Sequence, residues 1–258
     1  MLRLSELSIV ESRDALKDIP EGKVLINTIN AHSFNVAQKD ELFAESLTPA
    51  PSPMGEGSSQ TYVKFLIPDG ASIIKACKLL KAKSQPKERI AGWDLFAFEM
   101  RKLNDKGKMI NDKLRVMFMG SSEKVLARIR EKTAVDYPNL EVVTYSPPYK
   151  SEFSEEDNAA IIKAINDANP DLLWIGMTAP KQEKWTYAHW QELDIHCHVG
   201  TIGAVFDFYA GTAQRAPEWW QEHSLEWLYR LVKEPKRMWR RYVIGNPLFL
   251  WNISKEKV

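Results

Sequence analysis

The sequence has few cysteines and no long apolar segment. No apolar run approaches the length of a membrane-spanning helix, and the N-terminus shows no hydrophobic region of a signal peptide. The only cysteines, Cys77 and Cys197, lie far apart and lack the spacing of a metal site or a disulfide framework. These absences predict a cytoplasmic protein with buried thiols.

The chain also lacks an excess of either charge. Its 35 basic and 34 acidic residues give a net charge of +1, which argues against a nucleic-acid binder, so any basic function must be local. The length of 258 residues suits one large α/β domain or two small ones. Tryptophan, in contrast, is abundant: five of the nine lie from Trp219 onward.

The segment 66–70 combines a strand end, a carboxylate and a helix start. Residues 62–67 alternate as a strand, and residues 71–83 show helical spacing. Between them, Pro68 ends the strand ladder, and Gly70 is expected to use backbone angles closed to other residues. Asp69 is therefore predicted at the carboxyl end of a strand, where open α/β sheets bind ligands. From this turn alone, helix capping is the favoured role.

The segment 23–47 repeats this arrangement. A strand over 23–30 precedes a helix over 31–47, which places Thr28 and Asn30 at the same rim as Asp69. Turn hydrogen bonding is their alternative role. Residues 48–60 are rich in proline, glycine and serine and are interpreted as a surface insertion.

The second half alternates strands and helices. Strands over 114–119, 141–145, 171–177 and 195–199 are separated by helices over 123–137, 154–169 and 180–192. This pattern predicts a Rossmann-like parallel α/β sheet whose strand-to-helix turns share one edge. Residues 105–108 are expected to end a helix over 91–104 and to divide the core, 1–216, into possible halves 1–110 and 111–216.

Five further positions on this edge are candidate ligand contacts. Gly120 begins a turn that can bind an anion through backbone N–H groups, although no GxGxxG or Walker pattern is present. Lys181 and Gln182 crowd the first turn of a helix, where a cation suits a phosphate better than the helix dipole. Gly203 allows close approach of a flat ligand, and Asp207 is either an acid or, preferably, a hydrogen-bond anchor.

The segment 217–258 interleaves tryptophans with cations and is predicted to form amphipathic helices broken near Pro235. Such helices lie on anionic membranes or bind phosphates. The alternative is a helix pair that packs on the core. The interleaved cations are Arg230, Lys233, Lys236, Arg237, Arg240 and Arg241.

A set of motifs in register resembles the WecG/TagA/CpsF family of bacterial glycosyltransferases, and the likeness extends from about residue 23 to 242. The motifs are TINAH (28–32), PDG (68–70), RIAGWDL (89–95), APKQE (179–183), FDFYAG (206–211), RAP (215–217) and LEWLYRL (225–231) followed by EP (234–235). Two departures are the insertion at 48–60 and Thr178, where many members have glycine.

This resemblance implies an inverting transfer of a sugar from a UDP-sugar to a polyprenyl-diphosphate-linked sugar at the inner membrane face, in cell-surface polysaccharide biosynthesis. The donated sugar is N-acetylmannosamine, its uronic acid or glucose. By resemblance, Asp69 is the catalytic base, while Thr28, Asn30, Arg89 and Gln182 line the pocket. The basic C-terminal segment resembles the part of the family that closes over the site and meets the membrane and the diphosphate, and its assigned cations are Arg230, Arg237, Arg240 and Arg241. No metal or other cofactor is expected, and a homo-oligomer is possible.

Two rival interpretations come from other classes. An NAD-dependent dehydrogenase is disfavoured because its glycine fingerprint is absent. A non-catalytic membrane scaffold, acting through the Arg–Trp segment alone, is the second alternative.

Overall fold

The computed structural model describes residues 2–48, 63–217, 219–220 and 225–256. Six parallel strands form one sheet with helices on both faces, which confirms the Rossmann-like α/β prediction. The spatial order is β2-β1-β6-β5-β3-β4. The strands are β1 (Val24–Ile29), β2 (Val63–Pro68), β3 (Leu114–Gly120), β4 (Leu140–Tyr145), β5 (Leu172–Gly176) and β6 (His198–Thr201).

Eleven α-helices are defined within this described part. They are α1 (Ala31–Ala37), α2 (Glu41–Leu47), α3 (Ala71–Leu80), α4 (Gly92–Ile110), α5 (Glu123–Asp136), α6 (Glu155–Ala168), α7 (Lys181–Ala188), α8 (Ala204–Ala210), α9 (Glu226–Lys233), α10 (Pro235–Trp239) and α11 (Gly245–Glu256). Short 3₁₀ turns lie at Leu4–Glu6, Asp14–Asp18 and Trp190–Glu192, and a π-helical turn spans Arg240–Ile244.

The central strands are buried on both faces, as a parallel sheet between two helix layers requires. On one face, Phe118 and Trp174 pack with residues of α4, α5 and α8. On the other face, Met117 and Leu173 pack with α6 and α7. Successive strand residues point to opposite faces of the sheet, so the neighbours Met117 and Phe118, and likewise Leu173 and Trp174, lie on different faces. Because β1 pairs with β6, the sheet joins strands from both halves of the sequence.

Several element boundaries differ from the sequence prediction. The predicted helix 71–83 ends at Leu80, and the predicted helix 180–192 ends at Ala188 and is followed by a 3₁₀ turn. The predicted helix 31–47 is two helices, because Asp40 caps α2 by accepting a hydrogen bond from the Phe43 N–H at 3.0 Å. The predicted helix 91–104 continues to Ile110 and ends at Asn111, which adopts the left-handed conformation. The last strand is His198–Thr201 rather than 195–199, so Gly200 lies inside the sheet, against the Trp174 ring.

From Glu226 to Glu256 the described chain consists of helices, with a break before Pro235, as predicted. Helix α11 packs on α1: Phe249 is buried and meets Phe34 edge to face, with ring centroids 5.5 Å apart. The Glu256 carboxylate accepts hydrogen bonds from the backbone N–H groups of Leu4 at 2.8 Å and Ser5 at 3.0 Å. The far end of the C-terminal segment is therefore held in the core.

Residues 225–244 lie between the α/β core and this anchored helix, and we call them the strap. Its exposed apolar side chains include Val232, Trp239, Val243 and Ile244, and α11 adds Leu250 and Trp251 on its outer face. Of the helices described, none is both long and apolar enough to cross a bilayer.

Candidate active site

Asp69 follows β2 directly, at the carboxyl edge of the sheet. Its backbone N–H donates to the Ile29 carbonyl at 2.9 Å, which ties the turn after β2 to the end of β1. The side chain is 29% exposed, so a substrate can reach it, and its Oδ1 lies 3.4 Å from Arg89 Nη2. It is not the capping residue of α3, because Gly70 occupies the N-cap position.

The backbone angles at position 70 do not require glycine, contrary to the prediction. Its φ of 170° is extended backbone that other residues adopt, and an added Cβ meets the Cβ of Asn30 at an ordinary 3.6 Å. The Asn30 side chain caps α1 by accepting hydrogen bonds from the N–H groups of His32 and Ser33. Thr28, two residues earlier, is half-buried and pairs with Ile67 in the sheet.

Arg89 links Asp69 to the strap. The same Nη2 that faces Asp69 lies 2.8 Å from Glu226 Oε2, at the start of α9. Burial lowers the pKa of Arg89, but Asp69 and Glu226 outweigh that effect and raise it. Arg215 also faces these two carboxylates, together with Asp94, and its guanidinium lies over the Trp93 ring. Two arginines and two carboxylates thus meet at the rim, next to the turn after β2.

Gln182 holds two neighbouring turns together. Its Oε1 accepts hydrogen bonds from the N–H of Met177, after β5, at 3.1 Å and from that of Gly203, after β6, at 3.2 Å. Its Nε2 donates to Glu183 Oε1 at 2.8 Å. Burial raises the pKa of Glu183 to about 7, and its Oε2 has no hydrogen-bond partner among the described residues.

Two of the candidate glycines are required by packing. A Cβ on Gly203 would lie 2.3 Å from the Met177 carbonyl oxygen, so only glycine lets the two turns approach this closely. Gly120 has φ of +118°, and its Cβ would lie 2.4 Å from the Gly176 carbonyl oxygen. Both glycines keep the strand ends closely packed, whatever contact they make with a ligand.

Lys181 and Asp207 each have a partner within the protein. The Lys181 ammonium donates to the Lys150 carbonyl at 2.6 Å and lies above the Phe153 ring. These two contacts hold the loop after β4 against the start of α7. The Asp207 carboxylate accepts from the Thr212 hydroxyl at 3.1 Å, which matches the favoured anchoring role.

Of the assigned strap cations whose side chains the structure describes, Arg241 lies near the start of α1, at the rim. Burial and the neighbouring Arg241 lower the pKa of His32, in the first turn of α1, to about 4. The Arg241 Nε is buried and has no hydrogen-bond partner in the described part of the chain. Arg240 lies exposed beside Trp239, whereas the side chains of Arg230 and Arg237 fall outside the described residues.

The order of the strands arranges these groups along one edge. Asp69, Asn30, Gly203 and Gln182 follow β2, β1, β6 and β5, four neighbouring strands. With about 4.8 Å between strands, Asp69 and the Gln182 turn are roughly 14 Å apart, a span suited to an extended nucleotide sugar. Strands β5 and β3 are followed by helices on opposite faces, which marks the crevice where such sheets bind ligands.

Sequence reasoning assigned no role to Glu226 or Arg215. Glu226 is an acid within the basic segment, and Arg215 lies in the RAP motif just ahead of it. The available signal was the place of both residues within the RAP and LEWLYRL motifs. In the part of the chain that the structure describes, no three His, Cys, Asp or Glu side chains are grouped so as to hold a metal ion.

Comparisons with known proteins agree with the motifs. Residues 2–258 match the model of the glycosyl transferase WecG/TagA/CpsF family. An N-acetylglucosaminyldiphosphoundecaprenol N-acetyl-beta-D-mannosaminyltransferase of Bacillus subtilis (strain 168) is 28% identical over 90% of this chain and 80% of its own length. The proteins of the same name from Bacillus spizizenii (32%; 75% of this chain and 69% of its own length) and Staphylococcus aureus strain MW2 (25%; 91% and 81%) are also similar.

Proposed function

The chain belongs to the WecG/TagA/CpsF family of glycosyltransferases, and from that premise we propose that it transfers N-acetylmannosamine from its UDP-linked form to N-acetylglucosaminyl diphosphate polyprenol. The printed names of the relatives support both the sugar and the lipid-linked acceptor. Family membership favours this catalytic interpretation over the scaffold. The product belongs to cell-surface polysaccharide biosynthesis.

The observation that carries the proposal is the position of Asp69, partly exposed at the rim and beside two arginines. In the proposed reaction, Asp69 accepts the proton of an acceptor hydroxyl while that oxygen attacks the anomeric carbon. The bond from this carbon to UDP breaks, and UDP leaves with the electron pair. The relatives are named for a β product, and we propose that the transfer inverts the anomeric centre, as the family resemblance implies.

Positive charge near Asp69 supports departure of the diphosphate. Arg89 and Arg215 lie on the core side of the rim, and Arg241 on the strap faces the start of α1. Guanidinium groups form two parallel hydrogen bonds with phosphate oxygens and stabilise the charge that develops on them. We therefore propose that the reaction is independent of a metal ion. The nucleotide occupies the edge between Gln182 and Gly120, with its sugar directed towards Asp69.

The exposed apolar side chains of the strap and α11 support contact with the membrane that carries the acceptor. Trp239, Val243 and Ile244 lie beside exposed cations such as Arg240. A surface that combines large apolar groups with cations binds the interface of an anionic bilayer. We place the protein at the inner face of the cell membrane on this ground.

The proposal is tested by incubating the protein with N-acetylglucosaminyl diphosphate polyprenol in anionic vesicles and one UDP-sugar at a time. The donors are UDP-N-acetylmannosamine, its uronic acid, UDP-N-acetylglucosamine and UDP-glucose, and mass spectrometry measures the lipid product. We expect product from UDP-N-acetylmannosamine, at a rate unchanged by EDTA. Product from another donor alone would replace the proposed sugar, and no product from any of them would refute the transfer.

A further inference from the structure

Two carboxylates compete for one guanidinium nitrogen at the rim. Arg89 Nη2 lies 2.8 Å from Glu226 Oε2 and 3.4 Å from Asp69 Oδ1. The shorter contact has the ordinary length of a charge-assisted hydrogen bond, whereas the longer one is at the limit of a hydrogen bond. Arg89 therefore binds the strap more closely than it binds the proposed base.

The surrounding charges make this competition consequential. Arg215 faces Asp69, Glu226 and Asp94, and Arg89 repels it. Asp94 is itself occupied, since it accepts a hydrogen bond from the Ala91 N–H and pairs with Arg13. Among the residues that the structure describes, the charges closest to Asp69 are thus mainly those of two arginines and Glu226. Removal of Glu226 would take away the carboxylate that holds Arg89 most closely, and Asp69 would remain as the other described partner of Arg89 Nη2.

The position of Glu226 is fixed by the fold. The Glu226 side chain is only 9% exposed. Glu226 is the first residue of α9, and α9 is part of the strap, which continues into the anchored helix α11. A carboxylate held this firmly near Arg89 is not a chance surface pair. Burial of its negative charge demands compensation, which the Arg89 guanidinium supplies.

We propose that Glu226 is a positioning residue that draws the Arg89 guanidinium away from Asp69 and so keeps the Asp69 carboxylate able to accept a proton. The inference rests on the proposed function, because it assumes that Asp69 is the base. In this arrangement the strap has two roles: it contacts the membrane, and the charge of Glu226 influences the proposed base.

The test is the pH dependence of kcat/KM for Glu226→Gln, which keeps the side-chain size and removes the charge. The acidic limb of kcat/KM reports ionisation of the base in the free enzyme. With Arg89 released to Asp69, we expect this limb to move to lower pH by about half a unit to one unit. We also expect the plateau to fall, since a weaker base accepts the proton less readily. A loss of packing alone would lower the rate and leave the limb in place.

Two matched variants separate charge from structure. Glu226→Asp retains the charge, and we expect its acidic limb to stay near that of the unmodified protein. Glu234→Gln removes the same charge from an exposed position of the strap, and we expect no displacement. Displacement of the limb by Glu234→Gln as large as that by Glu226→Gln would overturn the proposal, because it would show a general effect of net charge.

A readout that does not need turnover covers the case of an inactive Glu226→Gln. Carbon-13 NMR of aspartate-labelled protein follows the Asp69 carboxyl carbon, assigned by its absence in Asp69→Asn, and we expect its titration midpoint to fall in Glu226→Gln. An unchanged midpoint and acidic limb would overturn the role of Glu226 while leaving the transferase proposal intact. Full turnover by Asp69→Asn would instead show that Asp69 is not the base, and it would contradict both the proposed mechanism and the role of Glu226.

Discussion

A carboxyl group is fully buried behind the rim, where Glu183 accepts a hydrogen bond from Gln182 and so fixes the amide that joins two turns. Burial raises the pKa of Glu183 from 4.5 to about 7. Between pH 4.5 and about pH 7, Glu183 is therefore protonated in the folded state and ionised in the unfolded state. Stability therefore decreases as pH rises from about 4.5 to 7, by up to roughly 3 kcal/mol.

We expect Glu183→Gln to raise the free energy of unfolding at pH 8 by about 1–3 kcal/mol, because the amide carries no charge to desolvate. At pH 5 the difference should be small, since Glu183 is then protonated in the folded protein. Urea unfolding at the two pH values measures this effect. Glu152→Gln, on the exposed loop before α6, is the control and should change neither value. Equal stabilities of Glu183→Gln and the unmodified protein at pH 8 would contradict the account.

Which individual residues meet could be inferred only in part from the sequence. The placement of Asp69 at a strand end follows from the PDG turn, and the structure agrees. The contact between Arg89 and Glu226 joins positions 137 residues apart, and no local pattern specifies such a pair. The role of Gln182 was assigned to the ligand, yet its side-chain oxygen already binds two backbone N–H groups.

At the scale of elements, α11 determines whether the C-terminal segment is a detachable tail. Phe249 and Ile253 are buried against α1 and α3, whereas Leu250 and Trp251 on the same helix are exposed. This distribution indicates that one face of α11 stabilises the fold and leaves the other for a different surface. A truncation before Trp219 would remove that packing as well as the strap.

We expect Phe249→Ala to lower the free energy of unfolding by about 3–5 kcal/mol, through loss of buried area and the cavity left beside Phe34. Leu250→Ala removes an exposed side chain one residue further on and should cost less than about 0.5 kcal/mol. Chemical unfolding of both variants measures the difference. Similar, small losses in the two would show that α11 does not belong to the core.

Strand and helix types were predictable because apolar periodicity follows the chain locally. Boundaries were missed where a single side chain or a tertiary contact decides them. Asp40 splits one predicted helix by capping the second half, and α4 continues past Asp105 to a left-handed Asn111. The pairing of β1 with β6 required long-range information, because those strands lie far apart in the sequence.

At the scale of the whole molecule, the exposed apolar surface of the strap is expected to bind anionic membranes. We expect the double variant Val243→Ser/Ile244→Ser to weaken binding to phosphatidylglycerol vesicles by at least about tenfold, since two half-exposed aliphatic groups are lost from the bilayer interface. Sedimentation with the vesicles measures the bound fraction.

The matched control is Met109→Ser/Ile110→Ser, which removes an exposed apolar pair at the end of α4, on the core. This control should bind vesicles as well as the unmodified protein. Equal loss of binding in the two double variants would point to general surface hydrophobicity and would contradict a role for the strap.

The most direct measurement of the central claim is the turnover of Asp69→Asn with UDP-N-acetylmannosamine and the lipid-linked acceptor, together with calorimetric titration by UDP. The amide preserves the size of the side chain but cannot accept the proton, so we predict a loss of turnover of at least a hundredfold with UDP affinity within threefold of the original. Asp167→Asn, the same change on the exposed face of α6, should retain full activity. Asp69→Asn that turns over at the unmodified rate would contradict the assignment of the base.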